Sequence, residues 1–245
     1  MIFNRILYSL FFWTASISVL PAAEPDPVLM VSVDFSVVGW GTSFNELDYR
    51  DGGKMKSLRV PVFARSAAMH YTGKPALELF LKQEKDGKKV NVMVAAPEIN
   101  PDDKRVIILL APPVEGKSLT KVLRFPKEQF VGGVLRIFNL SPVRMAVKGT
   151  TGATVLAPDS FQLFKPVEGG LTFITAYEES GSWQRLHELR LPIPADQEIT
   201  LIYFKSDLDM FQSRGGIQDP IQSITLQETK PVTAQEPPLL SQAGR

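Results

Sequence analysis

VSVDFSV, residues 31–37, decides the fold. Val31, Val33, Phe35 and Val37 fall on one side of an extended chain, and Ser32, Asp34 and Ser36 on the other. That two-residue period belongs to a strand with one face buried and one wet. The same alternation runs outward from it. LRVPVF (58–63) turns Leu58, Val60 and Val62 inward, and Pro61, which cannot donate a ladder hydrogen bond, marks an edge or a bulge. ALELFLK (76–82) sets Leu77, Leu79 and Leu81 against Glu78, Phe80 and Lys82; Asp86-Gly87 supplies a tight turn, and VNVMVAA (90–96) returns as its partner. RVIILLA (105–111) is unbroken in its apolar character from Val106 to Ala111, which predicts a strand covered on both faces.

Pro112 and Pro113, followed by Val114, Glu115 and Gly116, stop that strand and resist both helix and sheet, so a domain boundary is expected there. Beyond it the pattern restarts with VLRIFNL (134–140), VRMAVKG (143–149), ATVLAP (153–158), SFQLFKP (160–166), LTFITAY (171–177) and ITLIYFK (199–205). Strands at this spacing, punctuated by Gly, Pro and Asp, predict an all-β protein of two tandem immunoglobulin-like β-sandwich domains, 24–115 and 116–228. KSLTKVLRF (117–125) and WQRLHELRL (183–191) also fit short helices. The second reads better as a strand, because Pro192 and Pro194 stop it abruptly. The proline-rich stretch 229–245 has no period and is expected to be disordered.

Residues 1–23 have the layout of a secretory signal peptide: Arg5, then an apolar run from Ile6 to Leu20, then Pro21, Ala22 and Ala23. The run is interrupted by Ser9, Thr14, Ser16 and Ser18 and falls short of the about 20 apolar residues of a membrane-spanning helix. Cleavage after Ala22 or Ala23 is expected, giving a periplasmic or extracellular protein with no transmembrane segment; an uncleaved segment would stay as an anchor. The chain has 27 Lys and Arg against 26 Asp and Glu, and Arg5 is the only charge in the signal, so the remainder is formally neutral. Its cations alternate with acids instead of massing, which argues against a nucleic-acid partner. There is no cysteine, which excludes disulfides, thiol catalysis, cysteine-held metals and a lipoprotein tether.

The residues that could carry chemistry are dispersed. His70 and His187 are the only histidines, in different predicted domains and without a G-x-S-x-G elbow. His70 is expected to be a solvated imidazole beside a turn, and no His pair offers a zinc site. Asp207, Asp209 and Asp219 lack the spacing of a calcium loop. Asp102 and Asp103 read as a turn, and Glu178 and Glu179, adjacent on a strand, would face opposite ways. The glycine pairs lack the context of a phosphate loop and suit hairpin turns. No catalytic, cofactor-binding or metal residue is therefore expected. Trp40, between Gly39 and Gly41, and Tyr49 are the candidate ligand contacts, because a sugar ring or an extended peptide can lie on an exposed aromatic. The alternative for Trp40 is a plug at the open end of a sandwich. Asn139, in Asn139-Leu140-Ser141-Pro142, is expected to hydrogen-bond its turn.

YTGKPALELF (71–80) and LRIFNLSPVRMAVKGTTGATVLAPDSFQLFKP (135–166) together resemble a group of exported two-domain β proteins of bacterial envelopes. The shared features are a tyrosine-glycine turn before a strand, and an Asn-Leu-Ser turn followed by a proline-bounded hairpin. The resemblance implies fold and export, and brings no activity and no catalytic residue. A more distant likeness is to the periplasmic pilus chaperones, with RVIILLA standing where their client-pairing strand would be. The expected function is a non-catalytic envelope protein that binds an envelope protein or glycan through a sheet edge or loop end, without a cofactor. The alternatives are a carbohydrate-binding or carbohydrate-active protein and a chaperone-like strand donor.

Overall fold

The computed structural model describes residues 29–125, 131–149, 152–165, 170–205 and 221–229. Residues 1–28, with the expected signal peptide, 206–220, with Asp207, Asp209 and Asp219, and 230–245, with most of the stretch expected to be disordered, lie outside the described residues. The expected fold class holds: the described chain is all-β, with four four-stranded sheets forming two sandwiches in tandem.

In the first sandwich, β1 (Val31–Gly39), β4 (Met69–Gly73), β7 (Arg105–Leu110) and β8 (Thr120–Phe125) form one sheet in the order β4-β1-β7-β8. Across from it, β2 (Phe44–Asp51), β3 (Lys54–Val60), β5 (Leu79–Lys85) and β6 (Lys88–Ala95) run in the order β3-β2-β5-β6. The second sandwich pairs β9 (Val134–Asn139), β12 (Ser160–Phe164), β15 (Gln197–Lys205) and β16 (Ile221–Thr229), ordered β12-β9-β15-β16, with a sheet ordered β11-β10-β13-β14. The strands of that last sheet are β10 (Met145–Gly149), β11 (Gly152–Leu156), β13 (Gly170–Glu179) and β14 (Ser182–Pro192). Most neighbours are antiparallel; β1 runs parallel to β7, and β9 to β15.

Four hairpins among the described residues close through two residues with positive φ, the conformation whose twist matches the strands it joins. They are Gly52-Gly53, Asp86-Gly87, Glu115-Gly116 and Ser180-Gly181. The turn read from KDGKK is among them.

The expected boundary at Pro112–Gly116 is corrected. Those residues form the β7–β8 loop, pinned by reciprocal Val114 and Lys117 backbone hydrogen bonds of 2.8 and 3.0 Å. The segment 117–125 contributes β8, which completes the first sandwich, so the passage to the second falls between Phe125 and Val134. Two prolines end a strand, but they do so equally well at a hairpin as at a linker. Its helical alternative is likewise replaced by a strand, and 183–191 lies within β14 as expected.

Each sandwich has its own core, one built on Phe35, Tyr49, Leu79 and Ile108, the other on Ile137, Phe173, Leu201 and Tyr203. A third apolar layer joins them. Val38, Ile107, Leu109 and Leu123 of the first sandwich meet Phe138, Ile202, Phe204 and Leu226 of the second. The molecule is thus four sheets deep, and its two inner sheets are covered on both faces where the shared layer lies between them, while the β1–β4 corner bearing Asp34 and His70 stays open. That is why β7 and β9 are buried at all six positions.

Candidate functional site

Ionisable side chains collect in the layer between the sandwiches. Arg105 on β7 donates from Nη2 to both carboxylate oxygens of Glu198 on β15, at 2.6 and 2.8 Å. Arg136 on β9 donates to Glu198 through Nε at 2.9 Å, and the Val131 backbone N–H donates at 3.2 Å. Glu228 on β16 accepts from Arg105 at 3.2 Å and from Arg65. The Phe125 ring lies beneath the Arg105 and Arg136 guanidinium groups, at 4.5 and 4.8 Å from its centroid. Burial alone would raise the Glu198 carboxyl, but the hydrogen bonds and charges of Arg105 and Arg136 outweigh it and hold its pKa below the usual carboxylate value. Arg65 is pulled down by burial and held charged by Glu228. Sequence reasoning passed over this cluster. Its signal was Arg136, a lone charge inside the apolar VLRIFNL, which in a strand covered on both faces requires a partner.

Trp40 and Tyr49, the two aromatics read as ligand contacts, are not brought together. Trp40 is half-buried in the layer between the sandwiches, edge-on to Phe63 and to Phe204 with centroids 5.8 and 4.4 Å away. Tyr49 is 0% exposed in the first core, edge-on to Phe35. The surface reading of Tyr49 is therefore corrected: its place in β2 shares the inward face of Leu47, so its ring has no solvent to share with a ligand. The exposed indole among the described residues is that of Trp183, 44% open on β14, with Glu178 as its cross-strand partner. Arg144 grips Glu178 through two hydrogen bonds of 2.5 and 2.7 Å and lies 5.9 Å from the Trp183 ring centroid.

His70 has more company than its sequence neighbourhood announced. Its Nδ1 lies 2.8 Å from Asp34 Oδ1, and its Nε2 lies 3.4 Å from Ser32 Oγ and 3.3 Å from Thr72 Oγ1. The cause is register: Asp34 faces His70 and Ser32 faces Thr72 across the β1–β4 pair, all on one face. An acid, an imidazole and a hydroxyl in this order are the parts of a nucleophilic relay. Here they lie on an open strand face, with His70 and Asp34 each 63% exposed and two hydroxyls at the long limit from one nitrogen. His187 is partly buried on β14 and remote in sequence pairing from this group, opposite Thr175.

A cleft of about 250 Å³ opens at one end of the first sandwich, lined by Met30, Arg50, Tyr71, Thr72, Lys74 and Glu78 among others. Arg50 and Glu78 form an ion pair of 3.3 Å. The YTGK sequence builds this wall for a structural reason. Tyr71 donates its hydroxyl to the Lys74 carbonyl at 2.7 Å, and a Cβ on Gly73 would lie 2.4 Å from that hydroxyl oxygen. The glycine makes room for the tyrosine to close its own turn.

Asn139 is buried and does what its turn was expected to ask of it. Its Nδ2 lies 2.8 Å from the Val143 carbonyl and 3.2 Å from those of Leu156 and Ala157, and its Oδ1 accepts from the Ser141 N–H and hydroxyl. No group of three or more metal-ligating side chains gathers among the described residues. RVIILLA, the strand of the chaperone alternative, has no free edge, because β7 is hydrogen-bonded to β1 on one side and β8 on the other. No protein-family model matches this chain, and no curated protein matches it significantly.

Proposed function

We propose that the chain is an exported, non-catalytic binding or scaffolding component of the cell envelope, which engages an envelope protein or glycan through a sheet edge or loop end. The observation that carries this reading is the contrast between the middle of the stack and its rims. The charged groups at the centre are consumed in holding the two sandwiches together. The outer sheets end in β6 and β14, eight and eleven residues long, each paired within its sheet on one side. Such edges present a row of backbone donors and acceptors to an added strand, with Met93 and Trp183 exposed beside them. Export rests on residues 1–23.

The test is capture of partners from a native envelope extract by the immobilised chain, followed by hydrogen exchange on the complex. Slowed amide exchange along β6 or β14 is expected, and unchanged exchange along every edge strand refutes the edge reading. Labelling of Ser32 by a fluorophosphonate, lost in His70→Ala, would replace it with a hydrolase.

Carbohydrate binding stands as the second reading, favoured by Trp183 with Glu178 and Arg144 beside it. An exposed ring with polar groups at its margin suits a sugar face. Glycan-array binding abolished by Trp183→Ala supports it; identical binding by that variant removes it.

A further inference from the structure

We infer that the chain is one eight-strand module present twice, and that the inner sheet of each copy is a self-docking surface whose partner is the inner sheet of the other. Subtracting eight from every strand number of the second sandwich turns β12-β9-β15-β16 into β4-β1-β7-β8, and β11-β10-β13-β14 into β3-β2-β5-β6. The pairing sense follows as well, including the parallel ladders β1–β7 and β9–β15.

Register makes the equivalence residue by residue. The first ladder runs from Asp34 opposite Arg105 to Gly39 opposite Leu110, and the second from Val134 opposite Glu198 to Asn139 opposite Tyr203. Val38 thereby matches Phe138, Leu109 matches Ile202, and, through the next strand, Leu123 matches Leu226. All six lie in the shared layer. The matched residues just past the ladders keep the same bond: the Trp40 N–H donates to the Leu110 carbonyl at 2.8 Å and the Leu140 N–H to the Tyr203 carbonyl at 2.7 Å.

The docking has the reciprocity of a twofold axis, in which each contact has a mate with the roles exchanged. Arg65, bridged to Val38 beyond the end of β4, reaches Glu228 on β16. The matching positions are Phe161 on β12, opposite Phe138, and Phe125 on β8, opposite Arg105 as Glu228 is opposite Glu198. Those two rings flank the Arg136 guanidinium, at 5.9 and 4.8 Å. An ion pair at one site is thus mirrored by an aromatic clamp at the other. Arg105 and Glu198 match each other and are also in contact, so they lie near the axis. In a pair of identical modules that position would face itself with like charge; here it has diverged to opposite charge, which selects the unlike half.

This inference is independent of the binding reading, and the full chain tests it. Exchanging only Arg105→Glu and Glu198→Arg leaves the new arginine beside Arg136 and the new glutamate beside Glu228. That variant is expected to lose about 10 °C or more in Tm and to red-shift Trp40 emission in a background carrying Trp13→Phe and Trp183→Phe. Exchanging all four matched pairs turns the constellation about the axis: Ser36→Arg with Arg136→Ser, Arg65→Phe with Phe161→Arg, Arg105→Glu with Glu198→Arg, and Phe125→Glu with Glu228→Phe. This larger change is expected to recover at least half of the lost Tm and the parent emission. A four-pair variant no more stable than the two-residue exchange overturns the inference. Because the chain has no cysteine, a second measurement is direct: cysteine pairs at 65 with 228 and at 125 with 161 are joined within one chain by a short bismaleimide. Failure of either pair to join also overturns it.

Discussion

Glu198 shows how a single side chain binds two domains. It accepts from arginines on both inner sheets, and all three groups are buried. Removing one partner of a buried ion cluster leaves the others uncompensated, so Glu198→Gln is expected to cost about 3–5 kcal/mol in urea unfolding at neutral pH. Its folded pKa lies below the unfolded value of 4.5. Its stabilisation is therefore fully present above that value and is lost as pH falls through it toward the folded pKa. The variant should show a flatter acid limb in stability against pH below 4.5; a slope equal to the parent's would contradict this. Tyr71 and Gly73 offer a second residue-scale test. Tyr71→Phe removes the hydroxyl bond to Lys74 and should cost about 1 kcal/mol. Gly73→Ala brings a methyl against the phenol and should cost about 1–3 kcal/mol, falling when Tyr71 is already Ala. Additive costs in that cycle would show the tyrosine is not what requires the glycine. Asn139 was legible because its partners are near in sequence; the neighbours of Glu198 are not.

Among elements, the strands with one wet face were the easiest to read, since alternation alone marks them. The turns were equally local: Asp86-Gly87 needs positive φ at both residues, and its sequence says so. β7 was legible as doubly covered, but not what covers it. Ile108 points into the first core and Ile107 into the layer between sandwiches. Truncation of either to Ala should cost about 2–5 kcal/mol. Only Ile107→Ala should alter the emission of Trp40, which shares its layer; an equal change from Ile108→Ala would show that the two faces are not independent. The prolines after β7 misled for the same reason. A strand stop is a local property, whereas hairpin or linker depends on whether the next strand pairs backward, as β8 does.

At the scale of the molecule, the shared layer predicts cooperativity. Two sandwiches joined by an apolar and ionic interface should unfold together, giving a single calorimetric transition with equal calorimetric and van't Hoff enthalpies. Glu198→Arg, which sets like charges near the centre of that interface, should split the transition in two. A parent chain that already unfolds in two steps would refute this coupling. Neither histidine nor aromatic candidates could be placed at this scale from sequence. The group Asp34, His70, Ser32 and Thr72 exists through the register of β1 on β4, and Trp40 and Tyr49 are parted into different layers by which face each strand turns inward.

By itself the sequence determined most of the strands, though not β2, β4, β8 or β16, together with most of the tight turns and the two-sandwich class, because a period of two and a glycine at positive φ are written into neighbouring residues. Only the tertiary structure decided where one sandwich ends, which aromatics are buried and that Arg105, Arg136 and Glu198 share one site. Those depend on contacts between residues from 62 to 163 positions apart, and on a dry interface in which each charge requires another.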